Sequence, residues 1–325
     1  MNNIICLDEK YSTTKLLVQD IPDIVNNPDD KFESILFLPD NEERKGQGGL
    51  RTKGYFKKSF EDKPLISIIT VVFNGEKYLE ETIQSVINQT YDNVEYIVID
   101  GGSTDGTLDI IKKFEDKIDY WVSERDKGIS DAFNKGISCS LGKLIGILNA
   151  DDYYNDNSIN SVILSYEQEI NMYFGSIIRL KDTNEKIIFD SNADALNSLA
   201  KCSMNFVYHP TFFVTLEYYK LNGLYSLEYK IAMDYEFLTR QSLKNIKYKF
   251  VNFYITTMRY DGISDRLYYK AKLESINIYK ERFNKVFDKY IFNAYYLVLK
   301  AFVRMLFEKL NLGFLIEYKR KYFSK

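Results

Sequence analysis

Two adjacent carboxylates, Asp151 and Asp152, close the apolar run Leu144 to Leu148. Side by side at a strand end, like charges disfavour each other unless a cation sits between them and an anionic ligand. Hard oxygen donors of this kind suit Mg²⁺ or Mn²⁺, completed by water and phosphate oxygens. The same pair would also serve as a helix cap followed by an acidic first turn. Three earlier apolar runs end in the same manner: at Asn74-Gly75, at Asp100-Gly101-Gly102-Ser103-Thr104-Asp105-Gly106, and at Ser123-Glu124-Arg125-Asp126-Lys127-Gly128. Ligands of open parallel sheets bind beyond the carboxyl ends of the strands, so four such ends together describe a site. No Gly-Lys-Ser/Thr follows the glycines after Asp100, and they do not spell G-x-G-x-x-G, so neither a P-loop nor a dinucleotide fingerprint is present. The one histidine, His209, excludes a His-rich metal centre.

The elements that must position these residues follow from hydrophobic periodicity. Leu65 to Phe73 is a β-branched run suited to a strand buried on both faces. Glu76 to Asn88 carries Leu79, Ile83, Val86 and Ile87 at helical spacing. Strands are expected at Val94 to Ile99, Ile118 to Val122 and Leu144 to Leu148, with helices at Thr107 to Phe114 and Gly128 to Ser138. This strand–helix alternation implies right-handed crossovers and an α/β fold with a mostly parallel sheet. After Asp152 the pattern is mixed: a helix near Ser158 to Ile170, strands at Met172 to Leu180 and Lys186 to Asp190, a helix at Asp234 to Leu243, and a strand at Tyr248 to Met258. Residues 1–63 read as an irregular extension, 64–265 as the catalytic domain, and 266–325 as helical.

The residues at this point resemble a known family. Ile66 to Asn74, then Ile99-Asp100-Gly101-Gly102-Ser103-Thr104-Asp105-Gly106-Thr107, look like the start of glycosyltransferase family 2. Ser123 to Gly136 resembles a branch that builds bacterial surface polysaccharides, and Leu148-Asn149-Ala150-Asp151-Asp152 is similar to the family's acidic metal motif. The resemblance spans roughly residues 64–262. It implies a GT-A (Rossmann-like) fold and transfer of a sugar from a nucleotide donor, UDP-sugar favoured, with inversion at the anomeric carbon. By that resemblance Thr70 and Asn74 line the nucleotide pocket and Asp100 bonds the base or ribose. Asp126, Lys127 and Asp131 close its other side, Asp151 faces the ribose or diphosphate, and Asp152 contacts the metal. Asn149 stands where the plain Asp-x-Asp form has its first carboxylate, so which carboxylates touch the metal stays open.

The chemistry accounts for these parts. The leaving nucleoside diphosphate gains negative charge, which a divalent ion stabilises without a general acid. The acceptor hydroxyl needs a base. In the family this is an aspartate at a helix start in the second half, a placement Asp234 matches, with Glu236 as the second choice and a plain capping role as the other reading of Asp234. His209 is a contact for acceptor or donor phosphates, or else a satisfied structural residue. Nothing in the sequence raises Arg240, Arg259 or Ser264 above surface charge. The rival readings are a sugar-nucleotide nucleotidyltransferase, whose Gly-rich arginine loop is missing after Phe73, and a non-catalytic nucleotide-sugar-binding scaffold.

Composition bounds the rest. The net charge of −3 argues against a dedicated nucleic-acid binder. It hides an asymmetry: from Asp265 onward 14 Lys/Arg face 6 Asp/Glu, a net of +8, against 29 and 40 in the remainder. Three scattered cysteines fit free thiols in a reducing compartment. No signal peptide is visible, and no membrane-spanning helix is expected because no stretch of about 18 residues is free of charge. Ile291 to Leu310 has a narrow polar stripe at Lys300, Arg304 and Glu308, and Lys319-Arg320-Lys321 follows. Such a segment lies in a membrane interface, or packs on the catalytic domain or a second copy of the chain. The expected setting is cytoplasmic, at the inner face of the inner membrane, with a glycan or lipid-linked glycan as acceptor. Gly48 to Gly54 reads as a linker, with folding over the phosphates as the alternative.

Overall fold

The structure, a computed structural model, describes residues 4–181, 185–204, 207–242, 246–260, 262 and 266–310 of the 325. Its centre is a sheet running β1 (Gly46–Gly48), β4 (Tyr120–Ser123), β3 (Val94–Asp100), β2 (Ile66–Val72), β5 (Leu144–Asn149), β9 (Phe213–Thr215), β7 (Met172–Leu180), β10 (Tyr248–Arg259) and β6 (Tyr153–Tyr154), with β8 (Lys186–Phe189) pairing β7. The four strands β4, β3, β2 and β5 are parallel, so all four end on one edge. β9 enters antiparallel between β5 and β7, and β10 pairs β7 in parallel, which gives the mixed second half.

Period-two alternation splits β2 and β3 between two cores. Ile69, Val71, Ile97 and Ile99 pack on one side with α3 (Ile129–Ser138), α5 (Leu216–Asn222), α6 (Met233–Ser242) and α7 (Tyr268–Phe283). Ile66, Ile68, Val72, Tyr96 and Val98 pack on the other with α1 (Leu79–Ile87) and α2 (Thr107–Lys113). α4 is Ser158–Leu164, and α8 is Lys289–Lys309.

The structure differs from the sequence reading at several places. The helix expected to reach Ile170 stops at Leu164, and α5, β1, β6 and β9 were not foreseen, being seven residues or fewer. The N-terminal extension packs against the sheet. β1 joins the sheet beside β4, and Leu17, Val18, Leu50 and Phe56 are buried. Gly48 to Gly54 neither links nor covers phosphates. It turns Arg51 into the opposite end of the sheet, where Arg51 Nη2 meets Glu95 at 2.5 Å with both side chains fully buried. Lys57 is buried in the same region near Asp119; burial pushes the lysine down and the aspartate up from their usual ranges. Finally, α8 is the one described helix long and apolar enough to cross a membrane by length and composition, with 12% of that stretch buried.

Candidate active site

The loops after β2 and β3 are stitched together over the sheet edge. Asn74 takes the left-handed conformation, φ 52°, which asparagine tolerates better than most residues. That turn aims its Oδ1 at the Thr104 N–H, 2.8 Å away, while its own N–H donates to Ser103 Oγ at 2.7 Å. Gly75 N donates to Thr107 Oγ1 at 2.8 Å, and Gly106 N to Glu76 at 2.6 Å. Phe73, between the buried strand and this turn, is 65% exposed. Its ring lies 3.5 Å from where a Cβ on Gly101 would stand. Sequence reading passed over Phe73 because it ends an apolar run and counts there as core.

Two expected pocket residues are placed elsewhere. Thr70 faces the α1 layer, fully buried, with its hydroxyl accepting from Tyr96 Oη at 3.0 Å. Alternation puts it on the same face as Ile68 and Val72, so it does not line the edge. Asp100 is also fully buried, and its oxygens accept from Ser103 N at 3.1 Å, Ser103 Oγ and, at 2.5 Å, Ser123 Oγ. It holds the turns after β3 and β4 in shape and has no open side for a base or ribose.

Asp126, Lys127 and Asp131 do form one loop. Asp126 Oδ1 accepts from Gly128 N at 2.8 Å, and Asp131 Oδ2 from Lys127 N at 3.0 Å. The other Asp126 oxygen occupies the space that a Cβ at Gly101 would need, so a larger residue there would push the Asp126 carboxylate aside. Gly128 has φ 114°, a left-handed value that glycine supplies at no steric cost. The Lys127 side chain is exposed at the edge. From the N-terminal segment, Lys45 Nζ donates to the carbonyls of Gly102 and Ser103, each at 2.8 Å, and so clamps the turn after β3. No motif in the sequence announces Lys45; only the pairing of β1 with β4 brings it there.

The acidic motif sits at the end of β5. Asp152 is buried, with Oδ1 accepting from Arg259 N at 3.1 Å. Burial, and then the neighbouring Asp151 charge, push its carboxyl well above the usual carboxylate range. Asn149 Oδ1 is buried with no hydrogen-bond partner. Among the described residues no three His, Cys, Asp or Glu side chains converge to hold an ion unaided. Magnesium-type sites commonly use one or two carboxylates with substrate phosphates and water. Two carboxylates that resist joint ionisation beside an orphaned amide oxygen therefore fit a hard divalent cation.

Arg259, taken from sequence as surface charge, belongs to this motif. Its Nη1 donates to the Asp151 carbonyl at 2.5 Å, its Nη2 pairs with Glu81, and its guanidinium lies 4.3 Å from the Tyr78 ring centre and 5.2 Å from that of Tyr153. Ser264 and Lys319 to Lys321 lie outside the described residues.

Asp234 lies in the first turn of α6. Ala232 supplies the first helical carbonyl, to Glu236 N, so Asp234 sits inside the first turn and is not the cap residue. Its Oδ1 accepts from Tyr235 N at 2.7 Å, and burial raises its carboxyl to about 6. Glu274 of α7 accepts from Ile231 N and Ala232 N, each at 2.9 Å, and serves the role a capping residue would. Glu236 points the other way. It is buried, with Oε1 paired to Arg282 at 2.5 Å and to Arg240 at 3.4 Å, so it is not a free base.

His209 is held inside an aromatic cage. Its Nε2 is 2.9 Å from Tyr225 Oη, and its ring stacks on Phe133 with centroids 5.2 Å apart. Burial pushes it down to about 4, so it is neutral near pH 7 and offers phosphate no positive charge. Asn134 of α3 exchanges two hydrogen bonds with the Tyr225 backbone, each 2.9 Å. This lock ties the helix after the Asp126 loop to the loop leading into Asp234.

Comparison with known proteins gives relatives of the same character. An uncharacterised glycosyltransferase of Haemophilus influenzae is 37% identical over 111 residues, 33% of this chain and 34% of that protein. TuaG of Bacillus subtilis, a glycosyltransferase named for teichuronic acid biosynthesis, is 36% identical over 101 residues, 30% and 40% of the two chains. The chain thus spans about a third of the length of the curated relatives it matches. Among solved structures, S. aureus TarS 1–349 superposes with a TM-score of 0.52 at 17% identity, covering 74% of this chain and 73% of that one. The mannosyltransferase PcManGT of Pyrobaculum calidifontis does so at 0.53 and 15%, covering 73% and 70%. These likenesses establish the GT-A type of α/β fold. The profile of glycosyl transferase family 2 matches residues 67–232, about half of the chain, including the ends of β2, β3, β4 and β5, and the chain belongs to that family.

Proposed function

We propose that the chain transfers a sugar, with inversion, from a nucleotide-sugar donor to a hydroxyl of a glycan or lipid-linked glycan in surface-polysaccharide synthesis. The observation that carries this reading is the Asp151–Asp152 pair, one carboxyl held above its usual range at the end of a parallel strand, beside the orphaned Asn149 oxygen. Solved proteins of the same fold support it by what they hold: TarS was crystallised with UDP-GlcNAc, and PcManGT with GDP-Man and Mn²⁺.

Asp151 and Asp152, with Asn149 beside them, would hold Mg²⁺ or Mn²⁺, which neutralises charge on the departing diphosphate. The chain's own residues do the rest. Phe73 offers a ring at the strand end against which a base can lie flat. The Asp126–Asp131 loop forms the second wall, with the exposed Lys127 on it. Arg259 fixes the Asp151 backbone and keeps positive charge beside the acidic motif. Asp234 takes the proton of the acceptor hydroxyl as its oxygen bonds to the anomeric carbon. The bond from that carbon to the phosphate oxygen breaks, and the nucleoside diphosphate leaves with the electron pair.

Titration calorimetry with UDP tests the donor site. Binding should need Mn²⁺, vanish with EDTA, and be lost in Asp152→Ala while the melting temperature stays within a few degrees of wild type. Equal affinity with and without EDTA would remove the metal from the reading.

A further inference from the structure

The C-terminal helix has three stripes, and only one has a partner in the fold. Ile291, Ala294 and Val298 turn inward, where Ile291 and Ala294 are buried in the core shared with α7. The helix is fixed there by Asp288, whose Oδ1 caps it through Tyr290 N and Ile291 N at 2.8 and 2.9 Å and whose Oδ2 accepts from Tyr279 Oη at 2.8 Å. A third of a turn away, Phe292, Tyr296, Leu299, Phe302, Val303 and Leu306 form a continuous outward stripe. Phe292 is 79% and Leu299 60% exposed, and Phe287 in the preceding turn is 88% exposed. The remaining stripe carries Asn293 and Lys300.

We infer that this outward stripe, with Phe287, seats on an anionic lipid surface, the helix lying in the plane of the interface. Charge selects that occupant over others. The basic excess of the chain is confined to this end, +8 from Asp265 onward, while the remainder carries −11. A second copy of the same end would bring like charges together, whereas anionic headgroups oppose them. An apolar face flanked by Lys and Arg is the form that binds such surfaces. The arrangement also has a consequence for the catalytic domain. α7, on which α8 rests, holds the backbone just before Asp234 through Glu274, so a bilayer under α8 would lie against the element that positions the candidate base. The lipid contact does not depend on the donor reading, and its failure would leave that reading intact.

The test is co-sedimentation of the full chain with phosphatidylcholine vesicles, with and without phosphatidylglycerol, alongside the Phe292→Ser/Leu299→Ser variant. Both side chains are exposed, so the variant should keep the wild-type melting temperature. Expected is binding only to the vesicles with phosphatidylglycerol, weakened by salt and reduced roughly tenfold or more in the variant, since two large apolar groups no longer enter the interface. Binding unchanged in the variant, or no binding at low salt, overturns the inference. So does a dimer in light scattering that the variant dissociates while vesicles are ignored, because the stripe would then be a self-association surface.

Discussion

Asp234 is asked to be a base in a place that disfavours its charge. Burial raises it to about 6, close to a working pH, and this is how a carboxylate becomes able to accept a proton. The sign of the stability effect follows. The folded state binds the Asp234 proton more tightly than the unfolded chain, so folding stability falls as pH rises from about 4 to about 6 and remains lower above that range. Asp234→Asn removes the penalty and keeps an oxygen for Tyr235 N. The variant should be more stable than wild type at pH 7, by on the order of 1–2 kcal/mol in urea unfolding, while transfer falls roughly 10²- to 10⁴-fold. Wild-type transfer should rise with pH through about 6 and then level off. Near-normal turnover in Asp234→Asn would leave the residue only its hydrogen bond to the first turn. His209 contributes no limb to that profile, since burial keeps it neutral above about 4.

At the scale of elements, the donor edge is built from strand ends and held from outside by β1. Lys45, next to β1, spans from the N-terminal segment to the two carbonyls of the turn after β3. That turn also carries Ser103, which bonds both Asp100 and the Asn74 backbone. Lys45→Ala should therefore loosen the donor pocket without touching the base. The expected result is a donor KM raised roughly three- to tenfold, about 1 kcal/mol, the size of one hydrogen-bonded charge at a partly exposed site. With kcat and the melting temperature nearly unchanged, the residue is a positioning one. A fall in kcat with KM constant would contradict that role.

At the scale of the whole molecule, residues 4–63 and the strand–helix layers pack as one body. Arg51 and Glu95 form a fully buried pair, and Ser67 Oγ and Leu141 N also donate to Glu95, so strands from both parts meet at one charge. Removing one partner of such a pair leaves the other buried and uncompensated, at a cost of about 3–5 kcal/mol. Arg51→Met should lower stability by that amount in urea unfolding, and deletion of residues 1–63 should give no cooperative unfolding transition. A stable, soluble 64–325 fragment with wild-type unfolding behaviour would show that the segment is an accessory.

The sequence alone determined the parallel half of the sheet and the order of its motifs. Long apolar runs and helical spacing at Ile66 to Asn149 are local signals, and each strand end follows from its own strand. It also singled out the Asp151–Asp152 pair, because adjacent carboxylates at the end of an apolar run need a reason, while Asp234 stood out only through the family resemblance. Tertiary structure decided which of the named residues face the edge. The alternation within β2 sends Thr70 into the α1 layer, and the serines of two separate turns close over Asp100. It also recruited Lys45 and Arg259, more than 50 and 100 residues from the turns they hold, and fastened Glu236 to Arg282. Such long-range contacts leave no periodicity to read. They exist only once β1 lies against β4, β10 against β7, and α7 against α6, when burial sets which charges must be paired and which remain free.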